Sequence, residues 1–184
     1  MLIKTIFSGF GGQGVLSTGQ ILAQAAMLQG RFVTYLPSYG AEVRGGTANC
    51  TVTISDEEIA SPIASEPEFV VALNQPSFSR FQNLLHSGGF LLYNSSLVEP
   101  AFVRGDIETR GVPITELAQK IGNVKVANMI MLGAFIAVSN LLAFDRMLKH
   151  LPDILGAGKA KLLKANQEAF ERGYHFIEEH AHGD

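Results

Sequence analysis

Gly9-Phe10-Gly11-Gly12-Gln13-Gly14 is the segment of this sequence whose residue types point most directly to chemistry. An apolar run from Leu2 to Phe7 precedes it and reads as a strand. Val15, Leu16, Gly19, Ile21, Leu22, Ala25 and Ala26 follow at helical spacing. A glycine loop between strand and helix turns free backbone N–H groups, and the positive end of a helix dipole, toward an anion. Glycine suits it because it accepts positive φ and because a phosphate approaches the backbone only where no Cβ intervenes. The alternative is a tight turn joining two packed elements.

The residues around the loop narrow the ligand. Val15 and Leu16 stand where a nucleotide-hydrolysing loop carries Lys and then Ser or Thr, so phosphoryl transfer from ATP is excluded. A dinucleotide fold places an acid after its second strand to hold the ribose. Here that strand reads Arg31 to Leu36 and runs into Pro37-Ser38-Tyr39 without an acid. The loop is expected to take a phosphate-bearing ligand of another kind.

Other polar groups collect after the expected strands. Pro37 to Gly46 carries Tyr39, Glu42 and Arg44 among Gly40, Gly45 and Gly46, a glycine density that implies a special backbone path. Asn74-Gln75 and Asn94-Ser95-Ser96 follow two further apolar runs. In an open parallel sheet these segments share the carboxyl edge with the first loop, where ligands bind. The candidate cofactor-binding residues are Gly9, Gly11, Gly12, Gln13, Gly14, Tyr39, Glu42, Arg44, Gly45, Gly46, Asn74 and Asn128. Asn74 and Asn128 also read as helix caps, and Glu42 with Arg44 as a surface ion pair. His86, His150, His175, His180 and His182 fall in helices, helix ends or the tail, with no Ser-His-Asp order and no metal-ligand spacing. The chain is expected to bind without catalytic or metal-ligating residues of its own.

The elements that position this edge alternate. Strands are expected at Thr47–Ser55, Glu68–Leu73, Gly89–Tyr93 and Asp106–Arg110, and helices at Gln75–Leu85, Ile114–Ile121, Ala127–Leu142 and Lys159–His180. The expectation is one α/β domain over residues 1–184, Rossmann-like and doubly wound on a mainly parallel sheet, with room for an antiparallel pair in its middle. At 184 residues such a chain hides about 70% of its unfolded surface. Charged residues are only 17% of the total, which hints at surface covered by partner chains. The net charge of −3 and the lack of a basic run argue against nucleic acid. A single cysteine, Cys50, cannot hold an iron–sulfur cluster or zinc alone. Ala127 to Phe144 is interrupted by Asn128, Ser139 and Asn140 and is short for a membrane span. With no signal peptide at the N-terminus, a cytoplasmic protein is expected.

Taken in order, Gly9 to Val15 and Pro37 to Gly46 resemble the gamma subunit of 2-oxoacid:ferredoxin oxidoreductases. Ile54-Ser55, Ile59 with Ser61-Pro62, Ala72 to Pro76 and Asn128 to Ala134 extend the resemblance over nearly the whole chain, nearest to the 2-oxoglutarate or branched-chain type. The resemblance implies a multi-subunit enzyme that decarboxylates a 2-oxoacid and transfers the acyl group to coenzyme A. Thiamine diphosphate, Mg and [4Fe-4S] clusters would sit on alpha, beta and ferredoxin-like delta partners, with ferredoxin as electron acceptor. This chain would help hold coenzyme A, with phosphate oxygens on Gly11 to Gly14, Arg44 as the charged contact and Glu42 orienting it. The beta chain of indolepyruvate oxidoreductase and an independent Rossmann-type NAD or FAD oxidoreductase are the alternatives.

Overall fold

Alternation along the first strand, β1 (Leu2–Phe10), sets up two packed sides. Ile3, Thr5 and Phe7 face one side, Lys4, Ile6 and Ser8 the other, and the strand is buried on both through its middle because it lies inside the sheet. The computed structural model describes residues 1–39, 47–156 and 160–180. The remaining strands are β2 (Phe32–Tyr39), β3 (Thr47–Ser55), β4 (Phe69–Ala72), β5 (Phe90–Asn94) and β6 (Glu108–Val112). They form one sheet in the order β2-β3-β1-β4-β5-β6. β1 pairs parallel with β4, β4 with β5 and β5 with β6, while β3 lies antiparallel between β1 and β2. The sheet is therefore mainly parallel, with the antiparallel insertion that the sequence left room for.

The helices are α1 (Val15–Leu28), α2 (Gln75–Phe81), α3 (Ile114–Ile121), α4 (Ala127–Ser139), α5 (Phe144–Leu155) and α6 (Ala160–Glu179). The larger core lies on the Phe7 side, where α1 and α4 cover the sheet and α6 packs on α4. Phe135 of α4 sits edge-on to both Phe7 and Phe69, with ring centroids 5.4 and 5.5 Å away. Such aromatic pairs add about 0.5–1.5 kcal/mol beyond their area. The smaller core lies on the Ile6 side, where Phe78 and Phe81 of α2 meet Val70, Ala72 and Leu91. No described helix is long and apolar enough to cross a membrane.

Three expectations change. The second strand does not stop at Leu36: Pro37 pairs with Cys50 and Tyr39 with Ala48, which an edge strand tolerates. The apolar helix ends at Ser139, because Asn140 takes φ 51° and closes it in the left-handed region. Beyond it stands a helix not expected from the sequence, α5, with Met147 and Leu151 buried and Pro152 within it.

Candidate functional site

The chain leaves β1 toward β2 on one side and returns to β4 on the other, so β1 and β4 flank the point where strand order reverses. Ligands in open α/β sheets bind beyond the carboxyl ends of the strands at such a point. The glycine loop occupies it. Gln13 N–H donates to the Phe10 carbonyl at 3.1 Å and closes a tight turn. Gly12 and Gly14 hold φ values of 96° and 78°, which residues with a Cβ adopt only under strain. Gly14 is also the N-cap of α1, and no side chain caps that helix or places an acid in its first turn. The end of the dipole and its orphan donors are left for a ligand.

Neighbouring side chains lock this loop. The Gln13 Oε1 accepts from the Phe10 N–H at 2.7 Å and from Asn74 Nδ2 at 3.3 Å, and Gln13 Nε2 donates to the Leu73 carbonyl at 3.3 Å. One amide thus ties the loop after β1 to the loop after β4. Gly9 leaves room for it, since a Cβ there would lie 2.7 Å from Gln13 Oε1. Asn128, near the start of α4, donates to Thr18 Oγ1 at 3.3 Å, and Thr18 Oγ1 donates to the Gly14 carbonyl at 2.9 Å. A Cβ on Gly14 would stand 2.8 Å from Asn128 Cγ, so Gly14 is needed for close approach as well as for φ.

Two cavities flank the loop and share Gly12. One, of about 320 Å³, is lined by Phe10, Gly11, Gly12, Gly14, Ser17 and Ala48 among others. The second, of about 230 Å³, lies toward β5 and α4. Gln13, Asn94, Thr115, Lys125 and Asn128 give it polar groups, while Leu73, Leu97, Ile114 and Val124 give it apolar walls. Asn94 is held in place by donating to Thr115 Oγ1 at 3.1 Å and accepting from the Ser96 N–H at 3.1 Å. Among the described residues Lys125 is the one cation lining either cavity.

Against this geometry, the model of the pyruvate ferredoxin/flavodoxin oxidoreductase family matches residues 4–176. The chain belongs to this family. Subunit VorA of a ketoisovalerate oxidoreductase from Methanothermobacter thermautotrophicus is 38% identical to it over 182 residues. That match takes in 99% of this chain but only 38% of VorA, so this family member spans less than half the length of that relative. Subunit KorC of a 2-oxoglutarate synthase from Methanocaldococcus jannaschii is 34% identical over 175 residues, 94% of this chain and 92% of KorC. The gamma subunit of a keto/oxoacid ferredoxin oxidoreductase from Geobacter sulfurreducens superposes with a TM-score of 0.78 at 30% identity, covering 94% of this chain and 96% of that one.

In this oxidoreductase-family chain the expected site residues divide into groups. Gly9, Gly11, Gly12, Gln13, Gly14, Asn74 and Asn128 come together at the switch point. Asn74 does cap α2, its Oδ1 accepting from the Ser77 N–H at 2.9 Å, and it also braces Gln13. Asn128 does not cap α4, whose N-cap is Val126, and its amide is turned to α1 instead. Tyr39 ends β2 opposite Ala48, which pairs in turn with Gly9, so its backbone reaches the same edge. Glu42, Arg44, Gly45 and Gly46 lie outside the described residues. Asn94 lies on this edge as its place after an apolar run implied, whereas sequence reasoning missed Lys125 and Thr115, because topology rather than spacing carries them to Gly12. Asn123 gave a local sign: its Oδ1 accepts from the Lys125 N–H at 3.1 Å and starts the turn that sets Lys125 there.

The described residues do not fit a metal or cluster. Among those described, no three His, Cys, Asp or Glu side chains converge. Cys50 is fully buried with its Sγ 3.7 Å from the Val15 carbonyl, and burial pushes its thiol up to about 12. The native chain is therefore expected to resist a disulfide reagent at pH 8 and to react at once when unfolded. An unfolded thiol ionises near 8.5. Because the folded value is raised, the thiol's contribution to stability is complete below about 8.5 and is lost as pH rises toward 12. Reaction of the native chain at the unfolded rate would contradict this.

Proposed function

We propose that this chain is the coenzyme A-side subunit of a cytoplasmic, multi-subunit 2-oxoacid:ferredoxin oxidoreductase. The observation that carries the reading is the uncapped α1 terminus, braced by Gln13 at the switch point, with a Lys125-lined cavity beside it. Coenzyme A combines phosphates with a pantetheine arm bearing two amides. Phosphate oxygens would take the N–H groups of Gly11 to Gly14 and the first turn of α1. Lys125 would supply countercharge, and Asn94, Thr115 and Asn128 hydrogen bonds. Arg44, flanked by Glu42, would add a second cation from the segment after Tyr39.

Decarboxylation and electron transfer would belong to alpha, beta and ferredoxin-like delta partners carrying thiamine diphosphate, Mg and [4Fe-4S] clusters, with ferredoxin as acceptor. Thiamine diphosphate would supply the carbon nucleophile that adds to the keto carbon of the 2-oxoacid, from which carbon dioxide is lost. The part of this chain is to bind coenzyme A, orient it and keep its phosphates neutralised. The VorA and KorC relatives point to a branched-chain 2-oxoacid or 2-oxoglutarate as substrate. Profiling the native complex with both separates them.

Lys125→Ala is expected to raise the KM for coenzyme A about tenfold or more, the worth of one charge-assisted contact. Arg44→Ala should act in the same direction. Coenzyme A-independent decarboxylation of the 2-oxoacid should be unchanged in both. An unaltered KM would remove the variant residue from the site.

A further inference from the structure

The sheet has two sides, and one is incompletely covered. Ser8 faces α2, its Oγ bonded to Ser77 Oγ at 2.8 Å, so the Ser8 side is the side on which α2 lies. α2 covers β1, β4 and β5 there. By register, Ser8 stands beside Asn49 of β3 and Ser38 of β2. Two strands therefore extend past α2 on this side.

Their residues are unusual for a wet surface. β2 presents Phe32, Thr34, Leu36 and Ser38 on this side, with Phe32 47% and Leu36 42% exposed. The β3 positions opposite them are Asn49, Thr51, Thr53 and Ser55; Thr53 and Ser55 are already buried within the chain, while Asn49 and Thr51 are half-buried. None of these strand residues is charged, and Glu57 and Glu58 come near only at the Ser55 end, beside Lys4 of β1. Solvated edge strands are normally guarded by charged side chains, especially Lys. Depletion of charge together with aromatic and aliphatic residues marks the centre of a protein–protein interface.

The length of the relatives argues for the occupant. In both Methanothermobacter VorA chains this segment is only 38% of the polypeptide. The segment is thus held beside a body larger than itself. We infer that the charge-free side of β2 and β3 is the seat of the counterpart of the rest of VorA. This rests on the family reading above and names the surface it uses. The occupant meets Phe32 and Leu36 with an apolar patch and meets Ser38, Asn49 and Thr51 with backbone or amide groups.

The test compares the 184-residue chain alone with the same chain in its native complex. Leu36→Glu places an uncompensated charge at the centre of the surface, while Leu36 is exposed enough for the free chain to keep its melting temperature. It should weaken assembly about 100-fold or more. Met27→Glu, on the opposite side of the sheet and 64% exposed, should not. Hydrogen exchange at residues 32–38 and 49–55 should slow on assembly. Normal assembly of Leu36→Glu, or a homodimer that this variant abolishes while the complex still forms, would overturn the inference. If the wild-type chain itself does not assemble, the face and the family-based function fall together. If it assembles but Leu36→Glu has no effect, only the face is wrong.

Discussion

Gly133→Ala is expected to cost roughly 3 kcal/mol or more and to lower the melting temperature by about 6–12 °C. α4 and α6 cross with their backbones in contact. A Cβ on Gly133 would overlap the Phe170 carbonyl oxygen and lie 2.9 Å from the Tyr174 nitrogen. The crossing is reciprocal, because a Cβ on Gly173 would overlap the Ile130 carbonyl oxygen. These obstacles are backbone atoms, which cannot swing aside as a side chain would, so the helices must separate. Phe135 and Phe170, both fully buried, would lose packing with them. Gly173→Ala should behave alike, and the two together should cost less than their sum, since the first already opens the crossing. Gly105→Ala is the control, because its Cβ meets nothing within 4 Å and its φ is ordinary. A Gly133→Ala melt within 2 °C of wild type would show that the helices do not meet in this way.

Gly12→Val is expected to weaken coenzyme A about 100-fold and leave the fold in place. Nothing lies within 4 Å of a Cβ at Gly12, so the new side chain projects into the space shared by the two cavities. Losing one or two charge-assisted bonds of roughly 1.5–3 kcal/mol each accounts for that factor. A φ of 96° adds strain of about 1–3 kcal/mol, which could disturb binding by itself. Gly30 isolates that term: its φ is 78°, its surroundings are equally empty, and it lies in the turn after α1, away from both cavities.

The glycine loop was legible because its chemistry is local: strand, positive-φ glycines and helix follow one another within a few residues. The direction of β3 was less so. With Pro37 read as a break, the second strand stopped short and left a longer connection. Once β2 is carried to Tyr39, only residues 40–46 join it to β3, too few for the crossover that a parallel neighbour requires. α5 carried a readable spacing in Phe144, Met147, Leu148, Leu151 and Leu155, but Pro152 obscures it. In the structure the Pro152 carbonyl still accepts from the Gly156 N–H at 3.1 Å as the helix closes. Asn94 was legible on this edge from its place after an apolar run, but Thr115 and Lys125 were not, since their meeting with it depends on the strand order. The purpose of Gly133 was equally hidden. It stood in the sequence as part of a motif beginning at Asn128, yet Asn128 serves the site and Gly133 serves the crossing of α4 with α6.

The most direct measurement is the equilibrium dissociation constant of coenzyme A from the assembled complex, by calorimetry, with wild-type, Gly12→Val and Gly30→Val chains. If the glycine loop holds the phosphates, Gly12→Val binds about 100-fold more weakly, and Gly30→Val binds as wild type does. Equal affinity for all three would contradict the assignment and leave the loop as a turn between β1 and α1.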